Sequence, residues 1–346
     1  MHDLTNFIGW GGTLRPLIPT KMGALGKAKL CQSAAVCRLA IHGCRLSIMR
    51  KASSTELVMR ILLHIGRPRT GTTAFQYGIA NNNCYRKRHN IRLPIDSDLA
   101  PRSMQLFYAA VGDHLGKIHP WHQTNFDGKS LEHHVAKALD SASQDDTVVI
   151  SNEWFSMNYA PAQFGGMIKL LEQRAPVEVF VILRPQGDVA VSAWSRLIMD
   201  RDDPGPLSEM TARKADWGRK LKPLNYFFLI SEWSKLVNKI SILPYRSDAP
   251  ERLRIAMGLP DGLTYDNSSA SPALELCDFL RQNQRNHSTY DKWLEFVKAV
   301  SENPSEYAEH ANFGTLKDAE GIRTRFNTAF AASNDLLAKR FGCVLN

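Results

Sequence analysis

Long apolar runs, paired cysteines and metal-ligand spacings are all missing from this chain of 346 residues. No stretch of eighteen apolar residues occurs, so the sequence holds no candidate transmembrane helix. Six cysteines are present, but none form Cys-x-x-Cys, and Cys84, Cys277 and Cys343 stand far apart. This is neither a zinc ribbon nor a disulfide framework, and a reducing, cytoplasmic location is expected. His-Glu-x-x-His is absent, and the adjacent His133 and His134 would point to different faces of a helix. No metal site is expected. Internal repeats and low-complexity tracts are missing too. What remains, 44% hydrophobic and 22% charged residues, is the composition of a globular protein.

Acidic residues are scarce at one end only. Residues 1–58 carry eight Lys or Arg against Asp3 and Glu56, so six of the nine net positive charges lie there. The body, 59–346, is nearly neutral, which argues against a nucleic-acid partner. Residues 1–58 show no sustained hydrophobic period and read as a disordered basic extension. Their bias would suit a transit peptide. An over-extended start, with translation beginning at Met49 or Met59, is the preferred expectation. Residues 59–346 are expected to form one domain.

Within that body, residues 59–65, 147–151, 177–183 and 240–244 are short apolar runs followed by turn-forming or polar residues, the pattern of buried strands. Helical patterning covers 72–81, 103–115, 131–142, 162–174, 185–199, 207–221, 226–237, 272–283 and 321–341. Strands alternating with helices predict an α/β fold: a mainly parallel sheet in a three-layer α/β/α sandwich, P-loop NTPase-like in outline.

Between the first strand and the first helix lies Gly66-Arg67-Pro68-Arg69-Thr70-Gly71-Thr72-Thr73. Exposed N–H groups and the helix dipole converge at such a junction and favour an anion. The spacing Gly-x-x-x-x-Gly matches a P-loop, but Thr72 stands where the P-loop Lys belongs, and the cation sits earlier, at Arg69. No apolar strand ends in a metal-binding Asp. The third strand ends instead in Arg184, which suits a second, metal-free phosphate. A strand–helix turn without a ligand is the bland alternative.

At these residues the chain resembles the sulfotransferases that use 3′-phosphoadenosine-5′-phosphosulfate (PAPS). Their 5′-phosphosulfate loop is similar to 64–73, with Arg69 replacing the usual Lys. Their 3′-phosphate element, an Arg at a strand end and a Ser eight residues on, is matched by Arg184 and Ser192, with Asp188 between. Asn225-Tyr226, Trp233 and residues 267–283 add to a likeness that spans 59–285. The resemblance implies PAPS as sulfuryl donor, and a hydroxyl or amine of a carbohydrate or other small molecule as acceptor. Arg67, Arg69, Thr70, Gly71, Thr72, Thr73, Arg184 and Ser192 would then bind the cofactor. Arg69 would also act at the leaving phosphate, with Glu153 as base and His122 or His119 as alternatives to it. Departures are Arg69 for Lys, Pro185 directly after Arg184, and Trp194 for a frequent Tyr.

Several features keep a structural reading beside the functional one. Glu153 would favour a helix N-terminus without being a base. Arg184 and Asp188 could form a helix-start ion pair. Trp121, Trp154 and Trp194 belong either to an acceptor pocket or to the core. The run Arg86-Lys87-Arg88-His89 with Arg92 is a solvated helix end or a seat for a polyanionic acceptor. A P-loop kinase-like enzyme and a catalytically silent nucleotide-binding protein are the competing functions. Residues 94–128 and 200–221 are expected to shape the acceptor site.

Overall fold

A computed structural model describes residues 59–67, 69–94, 103–112, 126–140, 142–156, 161–201, 204–211, 224–265 and 272–345. The expectations for 1–58 lie outside these residues. The chain begins with β1 (Arg60–His64), α1 (Thr72–Asn81), α2 (Asn83–Arg88), β2 (Ile91–Arg92), α3 (Met104–Val111), α4 (Leu131–Leu139) and β3 (Thr147–Ser151). It continues with α5 (Gly165–Glu172), β4 (Val177–Leu183), α6 (Gln186–Met199), α7 (Tyr226–Trp233), β5 (Lys239–Pro244) and α8 (Ala249–Ala256). A C-terminal group of α9 (Cys277–Asn283), α10 (Tyr290–Glu302) and α11 (Phe313–Phe341) completes it.

The strands form one parallel sheet in the order β2-β3-β1-β4-β5. Successive side chains of a strand face opposite sides, and here each side has its own core. Ile61 and Leu63 of β1 join Val148, Ile150, Val179 and Val181 in a core with Phe107, Met167, Trp194 and Trp233. Leu62, Val149, Phe180 and Ile182 pack on the other face against Phe75 and Ile79 of α1 and Leu253 of α8. A sheet covered on both faces explains why its central strands read as continuous apolar runs. The three-layer α/β/α arrangement is the one the sequence predicts.

Local chemistry sets the boundaries. Gly71, with φ 76°, starts α1 in the left-handed region open to glycine. Asn82, Ser130, Asn225, Thr289 and Asn312 each cap a helix with a side-chain oxygen. Some expected helices are shorter or split. The helix expected at 103–115 ends at Val111, before Gly112 with φ 54°. Residues 162–174 divide into a 3₁₀ turn, Pro161–Phe164, and α5. For 207–221 a 3₁₀ turn, Leu207–Thr211, is described, and 212–223 lie outside the described residues. In the other direction, α11 starts eight residues earlier than the expected 321, and the two-residue edge strand β2 was too short to show a period.

Helix α11 lies antiparallel on α6. Gln186 and Asn334 exchange amide hydrogen bonds of 2.8 and 3.0 Å, and the Gly187 N–H donates to Asn327 Oδ1. The approach is closest at Gly187, where a Cβ would fall 2.4 Å from Arg323 Cα. Among the described residues no helix is long and apolar enough to cross a membrane. Gly187→Ala is therefore expected to lower the unfolding free energy by about 1–3 kcal/mol, the usual range for overpacking. A denaturant melt checks this, and an unchanged midpoint would contradict so close a backbone contact.

Candidate functional site

Because all strands are parallel, their carboxyl ends share one edge. Residues 65–72 follow β1 there, Asn152 and Glu153 follow β3, Arg184 follows β4, and Tyr245 follows β5. The connection from β1 leads to one side of the sheet and that from β3 crosses to the other, so this edge is a topological switch point, where open α/β sheets bind ligands. A cavity of about 430 Å³ opens at it. Its walls include Arg69, Gly71, Thr72 and Thr73 from the loop and first turn of α1, Arg184, Asp188 and Ser192 from β4–α6, Tyr245, and Arg323 of α11.

The loop is held from both sides. Arg69 has φ 67°, left-handed for a non-glycine residue. Its carbonyl accepts from Arg184 Nη1 (3.0 Å), and its Nε donates to Ser192 Oγ (2.7 Å). Arg184 also lies over the Tyr245 ring, 4.6 Å from its centroid, and its buried Nε has no acceptor among the described residues. Burial first, then the charges of Arg196 and Arg184, pull the Arg69 guanidinium below its ordinary value; Glu153 and Asp200 oppose them. Asp200 forms a two-point pair with Arg196 at 2.6 and 2.8 Å. Burial pushes the Asp200 carboxyl up despite that pair. Several cations thus crowd a partly desolvated edge.

Gly71 provides no capping side chain, and the first amides of any α-helix lack intrahelical acceptors. The first turn of α1 lines the cavity beside Arg69, an arrangement suited to an anion. Thr72 Oγ1 donates to Glu153 Oε2 at 3.2 Å, which ties the candidate base to the loop. Beneath the loop lies His64, completely buried, with Nδ1 2.9 Å from Ser151 Oγ. A Cβ at Gly66 would meet Thr72 Cγ2 at 2.5 Å and two His64 ring atoms at 2.7 Å. Glycine is what lets these two side chains close under the loop.

The candidate residues do not all meet. Arg69, Gly71, Thr72, Thr73, Arg184 and Ser192 line the cavity, and Glu153 touches it through Thr72. Arg67 turns inward: it is buried, lies 5.6 Å from the Tyr226 ring centroid, and donates to the Ser156 carbonyl at 2.7 Å. Thr70 is equally buried and donates to the Arg67 carbonyl. Both brace the loop from behind. Asp188 pairs at 2.8 Å with Arg323, across helices, rather than with Arg184. Trp154 and Trp194 are core residues. His119, Trp121 and His122 lie outside the described residues. The basic run ends α2 beside the start of β2, whose Ile91 is level with Thr147 at the beginning of β3. It stands at the amino edge of the sheet, opposite the cavity. Arg323 and Tyr245 are marked by no motif, and His64 stands only at the edge of the 64–73 likeness, without a role of its own.

No family model matches the chain, and a search of curated proteins returns no match.

Burial holds His64 neutral, with its pKa lowered from 6.5 to about 3. Below pH 6.5 the unfolded chain binds a proton there that the folded chain does not. Stability from this group is complete above pH 6.5 and falls as pH drops towards 3, by up to about 1.4 kcal/mol per pH unit. In urea melts between pH 7 and 4, His64→Asn is expected to flatten this decline by one proton's worth. An unchanged slope would exclude His64 as its source.

Proposed function

We propose that the protein is a sulfotransferase, moving the sulfuryl group of PAPS to a hydroxyl or amine of a carbohydrate or other small molecule. One observation carries the reading: Arg69, Arg184, Ser192 and the uncapped first turn of α1 line a single cavity at the carboxyl edge. The residues suit a ligand with two anionic ends. Arg184 has a buried Nε without an acceptor among the described residues, a group that a phosphate oxygen would satisfy by a charge-assisted hydrogen bond. Thr73 offers a hydroxyl at the helix start, beside Thr72 whose own goes to Glu153, where the dipole favours negative charge.

PAPS supplies the activated sulfuryl group. The chain's own work is to hold the donor's anionic ends, to neutralise charge appearing on the leaving phosphate, and to take the acceptor's proton. Arg69 and the α1 amides suit the leaving phosphate, since preorganised donors in a water-poor site stabilise developing charge most effectively. Arg184 and Ser192 suit the 3′-phosphate. Glu153, held by the Thr72 hydroxyl, suits the proton acceptor. As the new S–O bond forms and the bond to the phosphate oxygen breaks, the acceptor's proton passes to Glu153. Cys84, Cys277 and Cys343 are free thiols, which fits a reducing, cytoplasmic setting. The P-loop kinase-like alternative is weakened by Thr72 at the position of the phosphate-binding Lys.

A calorimetric titration with 3′,5′-adenosine bisphosphate, Mg·ATP and a DNA duplex separates the possibilities. Micromolar binding of the bisphosphate alone is expected; binding of Mg·ATP in its place would refute the proposal. Arg184→Ala is expected to weaken the bisphosphate about tenfold to a hundredfold. Glu153→Gln should bind the bisphosphate normally and lose turnover with labelled PAPS and a working acceptor. Retained turnover in that variant would remove Glu153 as the base.

A further inference from the structure

His64 has no role in the chemistry above, yet its ring sits directly beneath the anion loop. Ser151 defines its protonation. The Ser151 hydroxyl has two side-chain partners: Gln76 Nε2 donates to it at 3.0 Å, and His64 Nδ1 lies 2.9 Å away. Among the described residues the hydroxyl's own hydrogen has no acceptor other than His64 Nδ1, so it goes there and leaves its lone pairs to Gln76. A neutral imidazole that accepts at Nδ1 carries its proton on Nε2. That Nε2 is buried, has no acceptor among the described residues, and lies 2.7 Å from the point a Gly66 Cβ would occupy, on the side where Thr72 Cγ2 also packs. Phe75, edge-on at 5.9 Å, closes the other side of the ring.

We infer that His64 is a positioning residue of the anion cradle: fixed by Ser151 as the Nε2–H tautomer, it turns the positive end of its N–H dipole on the underside of the loop at Gly66. The inference rests on the reading that this loop binds phosphate. A buried donor without an acceptor is unfavourable in the free protein. Aimed at a cradle, however, a fixed dipole favours an anion in the same way as the helix N-terminus beside it, with no reorganisation when the anion enters. Contact with Gly66 and Thr72 also makes the ring a wedge that sets the height of the loop. Thr72 carries the same constraint to Glu153 through its hydroxyl.

The tautomer is directly measurable. Long-range ¹H–¹⁵N NMR of the full chain, with His64 assigned by loss of its signals in His64→Asn, is expected to show Nε2 protonated and Nδ1 not. The opposite tautomer would overturn the inference. Binding supplies an independent measure, read by calorimetry with 3′,5′-adenosine bisphosphate and with inorganic pyrophosphate. His64→Asn keeps an acceptor for Ser151 but removes the N–H below the loop, and should weaken both ligands about tenfold. His64→Gln, which returns an amide N–H near the Nε2 position, should recover part of that loss even if it melts at a lower temperature. Equal affinity in wild type and His64→Asn would overturn the positioning role while leaving the sulfotransferase reading intact. Wild-type binding of pyrophosphate but not of the bisphosphate, weakened by His64→Asn, would support His64 and remove the sulfotransferase reading.

Discussion

Parallel register is the constraint on which the site depends. Arg60 is level with Thr147, Ile61 with Val177, and Glu178 with Lys239, so the strands begin almost together and run the same way, β1 and β3 ending level at His64 and Ser151 and β4 and β5 level at Leu183 and Pro244. Whatever follows each strand must therefore emerge at one edge. Arg69, Glu153, Arg184 and Tyr245, spread over nearly 180 positions of sequence, become neighbours for this reason alone. Concentrating Arg69, Arg184 and Arg196 at a partly desolvated edge is unfavourable for the protein without a ligand. Burial and like-charge repulsion both disfavour the charged forms, as the lowered Arg69 value records. An entering anion removes part of that repulsion, so what destabilises the fold here favours binding.

Behind the cavity a second set of side chains holds the loop without facing it. Ser156 Oγ donates to the Gly66 carbonyl, and the Ser156 carbonyl accepts from Arg67. Tyr226 connects this brace to β4, since its hydroxyl donates to the Arg184 carbonyl at 2.7 Å. Arg67 and Arg69 thus do opposite work two residues apart, one turned into the core and one into the cavity. The left-handed turn at Arg69 separates them. A buried guanidinium is tolerable at Arg67 because a carbonyl and an aromatic face take the place of water.

Features set by a few consecutive residues were legible in the sequence. The runs TVVIS and VEVFVIL gave strands with the bounds they were assigned, and α1 spans the expected 72–81, because burial on both faces and a glycine start are local signals. The loop's place between β1 and α1, and the emergence of Arg184 at a strand end, followed from the same signals. Orientation did not follow. Nothing in Gly66–Thr73 tells that Arg67 and Thr70 point inward, since this depends on Tyr226 and Ser156, more than 80 residues away. Arg323 was hidden for a similar reason: it reaches the cavity only because α11 presses on Gly187, and its helix is too mixed in polarity to announce a buried face. His64 looked like one more residue of an apolar strand. Its significance depends on Gly66 lacking a side chain and on Ser151, its partner in register at the end of the adjacent β3.

The contact between Arg69 and Ser192 decides how the two ends of the cavity share work. The sulfotransferase resemblance would assign them to different phosphates, yet here they are bonded at 2.7 Å. On the proposed reading a ligand must compete with that bond, and Ser192 exchanges one charged partner for another. Such an exchange of hydrogen bonds is close to neutral, since the net value of a bond is the difference between its partners. Arg184 differs, because its buried Nε has no acceptor among the described residues to give up and would gain a charged one. A newly satisfied buried donor bonded to a charged group is worth more, roughly 1.5–3 kcal/mol. On that reading, affinity at this edge follows the guanidinium at the end of β4, and the Ser192 hydroxyl would serve chiefly to hold Arg69 in register until an anion replaced it.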